Sequence, residues 1–140
     1  MGIEGSYKIL VMKYIGPSLK YYFRSCNRKF TLPTTLKISI QVLNILQQIH
    51  DKGIVLRYLK PENILIGSGE NKDYVYLIDF DLAKKYIIEG NHISYGKNDD
   101  ILGNRIFIFL NIHNKIEPTR RDDNESLGYN LVYFMKGRLP

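Results

Sequence analysis

Cysteine is nearly absent from these 140 residues, and so are long apolar runs, dense blocks of one charge, internal repeats and low-complexity tracts. The single cysteine, Cys26, excludes an intrachain disulfide, and no Cys/His cluster has the spacing of zinc ligands. A reducing cytoplasmic or nuclear setting is the expectation. No run approaches the ~18 apolar residues that span a bilayer, and no signal peptide opens the chain, so no membrane association is expected. The net charge of +6 comes from Lys and Arg scattered along the chain. Scattered charge reads as a solvated basic surface, so no nucleic-acid partner is expected. An apolar share of 44% and a charged share of 24% are those of a globular protein, and the length suits one domain.

Two short patterns carry little weight. Met1-Gly2-Ile3-Glu4-Gly5-Ser6 fits the N-myristoylation pattern, but a core strand is expected to begin at once, at Tyr7. Asn124-Glu125-Ser126 spells a glycosylation acceptor, yet it falls at a predicted helix start in a chain without a secretory signal.

What is present reads as a mainly α chain with one small β-hairpin. Residues 7–15, YKILVMKYI, have the composition of a strand closed by Gly16-Pro17. Ser18 can cap a short helix from Leu19 to Ser25, with Leu19, Tyr22 and Phe23 on one face. Thr31 is a candidate N-cap and Pro33 falls in a first turn. Leu36, Ile40, Leu43, Leu46 and Ile49 then recur at helical steps, predicting one buried stripe on a long helix that Gly53 stops. His50, at its end, reads as a packing or capping residue. Residues 64–67 and 75–79 read as a hairpin, and 80–118 as one long, largely irregular segment. A last helix is expected from Asp122 or Asp123 as N-cap to Gly137, with Leu127, Leu131, Phe134 and Met135 inward.

The stretch VLRYLKPENILI, Val55 to Ile66, carries the chemistry. Phosphoryl transfer needs magnesium held against phosphates by oxygen ligands on converging segments, together with a base for the acceptor hydroxyl. Asn63 in this loop and Asp79 in LIDF offer such an oxygen pair, sixteen residues apart across the proposed hairpin. Lys60, on the same loop, can neutralise a phosphate oxygen. Helix, Arg57-x-x-Lys60-Pro61-x-Asn63, hairpin and Asp79-Phe80 in that order form a specific set.

With those residues in view, the chain resembles the C-terminal lobe of eukaryotic protein kinases, and among them the casein kinase I family. YKILVMKYIGPSL is similar to that family's hinge strand and Gly-Pro-Ser-Leu turn, and LRYLKPENIL to its His-Arg-Asp-x-Lys-Pro-x-Asn loop. YVYLIDFDLAKKY is similar to its metal-binding Asp-Phe-Gly segment, and RRDDNESLGY to the start of its central lobe helix. The resemblance runs from Gly5 to Pro140 and implies a partial kinase domain over residues 1–140. It comprises the hinge strand and a C-lobe ending after the central helix, with the N-lobe absent. It implies ATP and magnesium as ligands, bound weakly or not at all, and a protein substrate or partner. Met12 would be gatekeeper, the Lys13 and Ile15 backbone would face adenine, and Leu65 would form its floor. Asn63 and Asp79 would hold magnesium, Lys60 would meet the transferred phosphate, and Asp123 would anchor the catalytic loop.

The departures from the family pattern concern catalysis. Tyr58 stands at the base position and Leu56 at the position of the motif's histidine. A phenol ordinarily ionises near pH 10, and losing the base costs roughly 10²–10⁴ in rate. Asp81 replaces the glycine of Asp-Phe-Gly, where a positive φ would cost about 1–2 kcal/mol. Only Gly103 remains of a Thr-Gly-Thr-Ala-Arg-Tyr run; Ile106 stands where an anion-binding Arg would be, and Tyr21 replaces a carboxylate near the ribose. The run IFIFL, 106–110, has an aggregation-prone composition. No Gly-rich phosphate loop, third-strand lysine or partner glutamate occurs in these residues. Three readings are open: a catalytically inactive casein kinase I-like serine/threonine kinase domain or relic, a protein-binding module built on a kinase C-lobe, or part of a longer ATP-dependent protein kinase.

Overall fold

The computed structural model describes residues 2–9, 11–97, 107 and 110–139. Leu10, Gly103, Ile106 and most of the IFIFL run lie outside the described residues.

The first element is one the sequence reading missed. Gly5, at φ +60°, turns the chain so that β1 (Gly2–Glu4) pairs antiparallel with β2 (Tyr7–Ile9), Glu4 facing Tyr7. The expected strand of residues 7–15 is therefore short. Beyond Ile9 the described residues 11–17 join no strand, because β1 has only three residues to pair, and residues 11–14 are exposed, Val11 at 84%.

Helix α1 (Leu19–Ser25) forms where expected. The Ser18 hydroxyl accepts the Tyr21 N–H, and Leu19 and Phe23 are buried, with Tyr22 packed at the edge of the core. Helix α2 (Leu32–Asp51) also has its expected ends, with the Thr31 hydroxyl accepting the Thr34 N–H and Gly53 at φ +74° just beyond. Its buried face differs from the predicted stripe. Thr35, Ile38, Ser39, Val42, Leu46 and His50 point inward, whereas Leu36, Ile40 and Leu43 are about half exposed. Two polar residues can replace leucines inside because each hydroxyl is satisfied within the helix. Thr35 Oγ1 donates to the Thr31 carbonyl at 2.9 Å and Ser39 Oγ to the Thr35 carbonyl at 2.7 Å.

After α2 come β3 (Ile54–Val55) and β4 (Ile64–Ile66), then β5 (Val75–Leu77). Strands β4 and β5 form the predicted hairpin, with Ile64 opposite Leu77 and a short 3₁₀ turn, Gly69–Asn71, at its tip. The segment 80–118 is more structured than its composition suggests. It contains β6 (Lys84–Lys85) paired with β3, the pair β7 (Ile87–Ile88) and β8 (Asn91–His92), and the single turn α3 (Leu110–His113). These strands are two residues long, too short to leave a period.

Helix α4 (Arg120–Lys136) starts earlier than expected. Thr119 is its N-cap in a reciprocal capping box with Asp122, so both aspartates lie inside the first turn and are buried. Gly137, at φ +80°, ends it. Leu127 and Phe134 face inward as predicted; Leu131 and Met135 are half-buried, and Tyr133 and Asn130 take buried positions. The core lies where α1, α2, α4 and the β4–β5 hairpin meet, with Phe23 against Phe30, Tyr133 and Phe134. Burying a ring such as Phe134 stabilises by about 1.5–3 kcal/mol. Among the described residues no helix is long and apolar enough to cross a membrane.

Candidate functional site: the loop between β3 and β4

The loop from Leu56 to Asn63 joins two short strand pairs, and pairing brings its ends beside the segment after β5. The Ile78 N–H donates to the Asn63 carbonyl at 3.0 Å, extending the hairpin by a step and bringing Asn63 beside Asp79, the next residue along. Asn63 Nδ2 then donates to Asp79 Oδ2 at 3.0 Å and to the Tyr58 carbonyl at 3.2 Å. Both partners are acceptors, which fixes the amide orientation. Asn63 Oδ1 and the second Asp79 oxygen have no partner among the described residues. The sequence-predicted oxygen pair is thus brought together, with Asn63 only 4% exposed.

The rear of the loop is tied to α4. Asp123, 1% exposed, accepts the backbone N–H of Leu56 and of Arg57, each at 2.8 Å, and meets His50 Nε2 at 2.8 Å. The His50 carbonyl in turn accepts the Tyr86 hydroxyl at 2.7 Å. His50 therefore packs and hydrogen-bonds at the end of α2, as its position suggested. Asn130 Nδ2 donates to the Leu59 and Ser126 carbonyls, while its Oδ1 is buried without a partner among the described residues. Sequence reasoning missed Asn130 and the third contact of Asp123, because neither has a local signal.

Two non-glycine residues hold left-handed backbone here, Arg57 at φ +66° and Asp79 at φ +68°. The expected strain at Asp81 is absent; it has moved two residues back, to Asp79, which turns the chain out of the hairpin. Arg57 Nε donates to the Leu82 carbonyl, tying the loop to the segment after Asp79.

The front of the loop carries Tyr58, Lys60 and Glu62. Lys60 Nζ lies 3.8 Å from the centroid of the Tyr58 ring, a close cation–π contact. Glu62 Oε1 accepts from Lys20 Nζ at 3.0 Å. Burial raises the Glu62 carboxyl, but the Lys20 hydrogen bond, its own backbone N–H and the charges of Lys20 and Lys60 outweigh it and hold it below its ordinary value.

The other predicted residues do not form one pocket. Lys13 and Ile15 line a cavity of about 320 Å³ with Ser68, Asn71 and Tyr76, and Ser68 Oγ donates to the Ile15 carbonyl at 2.8 Å. Met12 is 60% exposed on the unpaired stretch. Leu65 is half-buried on β4 and bridges Ser18. Neither lines that cavity.

A family model described as protein kinase domain matches residues 3–139. The chain belongs to the protein kinase domain family. Kinase domains use ATP and magnesium and bind protein substrates. The chemistry of the donor pair fits magnesium, which takes oxygen ligands and is usually held by one or two carboxylates with waters and phosphates. Among the described residues no group of three or more His, Cys, Asp or Glu is placed to bind a metal.

Proposed function

We propose that this kinase domain comprises a casein kinase I-like hinge and C-terminal lobe over residues 1–140, and that the chain does not transfer phosphate. The observation that carries the reading is the Tyr58–Lys60 contact. A ring occupies the base position, and the cation assigned to the phosphate rests on that ring at 3.8 Å. Asn63 and Asp79 would hold magnesium, which neutralises phosphate charge when bound. Lys60 would have to leave the ring to reach a phosphate oxygen. Met12, the Lys13 and Ile15 backbone and Leu65 are the proposed adenine contacts; the separation of Met12 and Leu65 from the Lys13–Ile15 cavity supports weak nucleotide binding. Cys26, exposed and unpaired, fits a reducing cytoplasmic or nuclear compartment.

The test is a melting assay with millimolar ATP, with and without magnesium, beside a phosphoryl-transfer assay on casein. We expect no magnesium-dependent rise in Tm and no transfer. A ligand at 100 times its Kd would stabilise by about 2.7 kcal/mol, so clear magnesium-dependent stabilisation would overturn the nucleotide half of the reading. Transfer to casein that Asp79→Asn abolishes would overturn the other half.

A protein-binding module is the second reading, and one observation favours it. Leu32, Leu36, Ile40 and Leu43 form a half-exposed apolar stripe along α2.

A further inference from the structure

Another cavity lies away from the Asn63–Asp79 pair. It is a groove of about 610 Å³ between α1, α2 and the turn end of the β4–β5 hairpin, whereas Asn63 and Asp79 sit at the hairpin's open end. Its volume is that of ligand sites in general. Its floor is apolar and buried, built from Leu19, Phe30, Ile38 and Val75. One wall is fixed by Gln41 on α2, whose Oε1 accepts the Val75 N–H at 2.9 Å and whose Nε2 donates to the Asp73 carbonyl at 3.0 Å. Those contacts pin the hairpin to the helix and leave the groove preformed.

The rim carries a surplus of positive charge. Lys29, Lys37 and Lys72 come from three different elements, are exposed, and face one acid, Asp73. None of the three lysines is in an ion pair among the described residues. Three cations against one acid around an apolar floor are complementary to a ligand that is both anionic and apolar. The cations lie on the α1–α2 connection, on α2 and on the hairpin turn, and a ligand that meets all three is an extended one. We propose that this groove docks an acidic peptide segment of a partner protein, with an apolar side chain seated over Ile38 and Val75 and carboxylates meeting the lysines.

Cys26 lines the groove and is the chain's only cysteine, so its alkylation reports occupancy without any substitution. The experiment uses the full chain and a short fluorescein-labelled peptide of alternating glutamate and leucine, read by anisotropy. Saturable binding is expected, weakening with added salt as the charges are screened. Bound peptide should slow Cys26 alkylation. Lys37→Glu combined with Lys72→Glu should lower affinity by about tenfold or more, and Thr34→Trp, which fills the groove from its rim, should do the same. Lysine in place of the peptide's glutamates should abolish binding. Unchanged affinity in both folded variants, unchanged alkylation with peptide bound, or no saturable binding would each overturn the proposal. Capture by phosphatidylserine vesicles that the peptide does not compete would also overturn it, making the groove a membrane-surface site.

Discussion

The loop from Leu56 to Asn63 has a held rear and an open front, and the two obey different energetics. At the rear, Asp123 binds two backbone N–H groups and His50 in a setting almost without water, and Asn130 holds the Leu59 carbonyl. At the front, Lys60 rests on Tyr58 and Glu62 pairs with Lys20 at the boundary with solvent. A buried polar group that loses its partner costs the full desolvation penalty, while a surface contact is readily replaced by water. A loop built this way keeps its path when its outward residues change. That is how the phosphotransfer frame we propose can persist around Tyr58.

The contrast predicts a graded response. Asp123→Ala should be the most damaging change, at about 3–5 kcal/mol, because it strands two N–H groups and a histidine in the interior. Urea melts check it, and a loss under 1 kcal/mol would erase the distinction between rear and front. Asn130→Leu should cost about 1–2 kcal/mol, since it removes two hydrogen bonds but also an unpartnered oxygen. Tyr58→Leu should cost only about 0.5–1 kcal/mol, the worth of a cation–π contact at the edge of solvent, with the far-ultraviolet spectrum unchanged.

The smallest effect concerns acid. The Glu62 carboxyl is held below its ordinary value of 4.5, so its contribution is present above that pH and is lost as pH falls through the folded value. The Lys20–Glu62 pair is partly exposed, at 27% and 38%, which limits it to roughly 0.5 kcal/mol. Lys20→Met should flatten the acid limb of stability against pH by that amount.

The sequence disclosed boundaries better than faces. Thr31, Pro33 and Gly53 mark the limits of α2 because caps act locally. Its inward face was misread because the leucine-rich stripe is the half-exposed one, and Thr35 and Ser39 enter the core with hydroxyls satisfied by their own helix. The meeting of Asn63 with Asp79 was legible through the hairpin between them, whose composition and turn residues are local signals. The left-handed backbone at Asp79 instead of Asp81 was not, since it depends on how the chain leaves β5. Nor was the bond from Asn130 to Leu59, which spans 71 residues and exists only once α4 is packed.

The reach of Asp123 also sets an order of assembly. Its bonds to Leu56, Arg57 and His50 close intervals of 67, 66 and 73 residues, among the longest in the chain. Contacts of such separation form late, after local helices and hairpins. During synthesis α2 and the β4–β5 hairpin can form as they leave the ribosome, but the rear of the loop between β3 and β4 lacks its Asp123 anchor until residue 123 has emerged. At about 5–20 residues per second, that interval leaves the rear of the loop unfastened for several seconds. A nascent chain therefore leaves the backbone N–H groups of Leu56 and Arg57 without their carboxylate for as long as α4 is still being made.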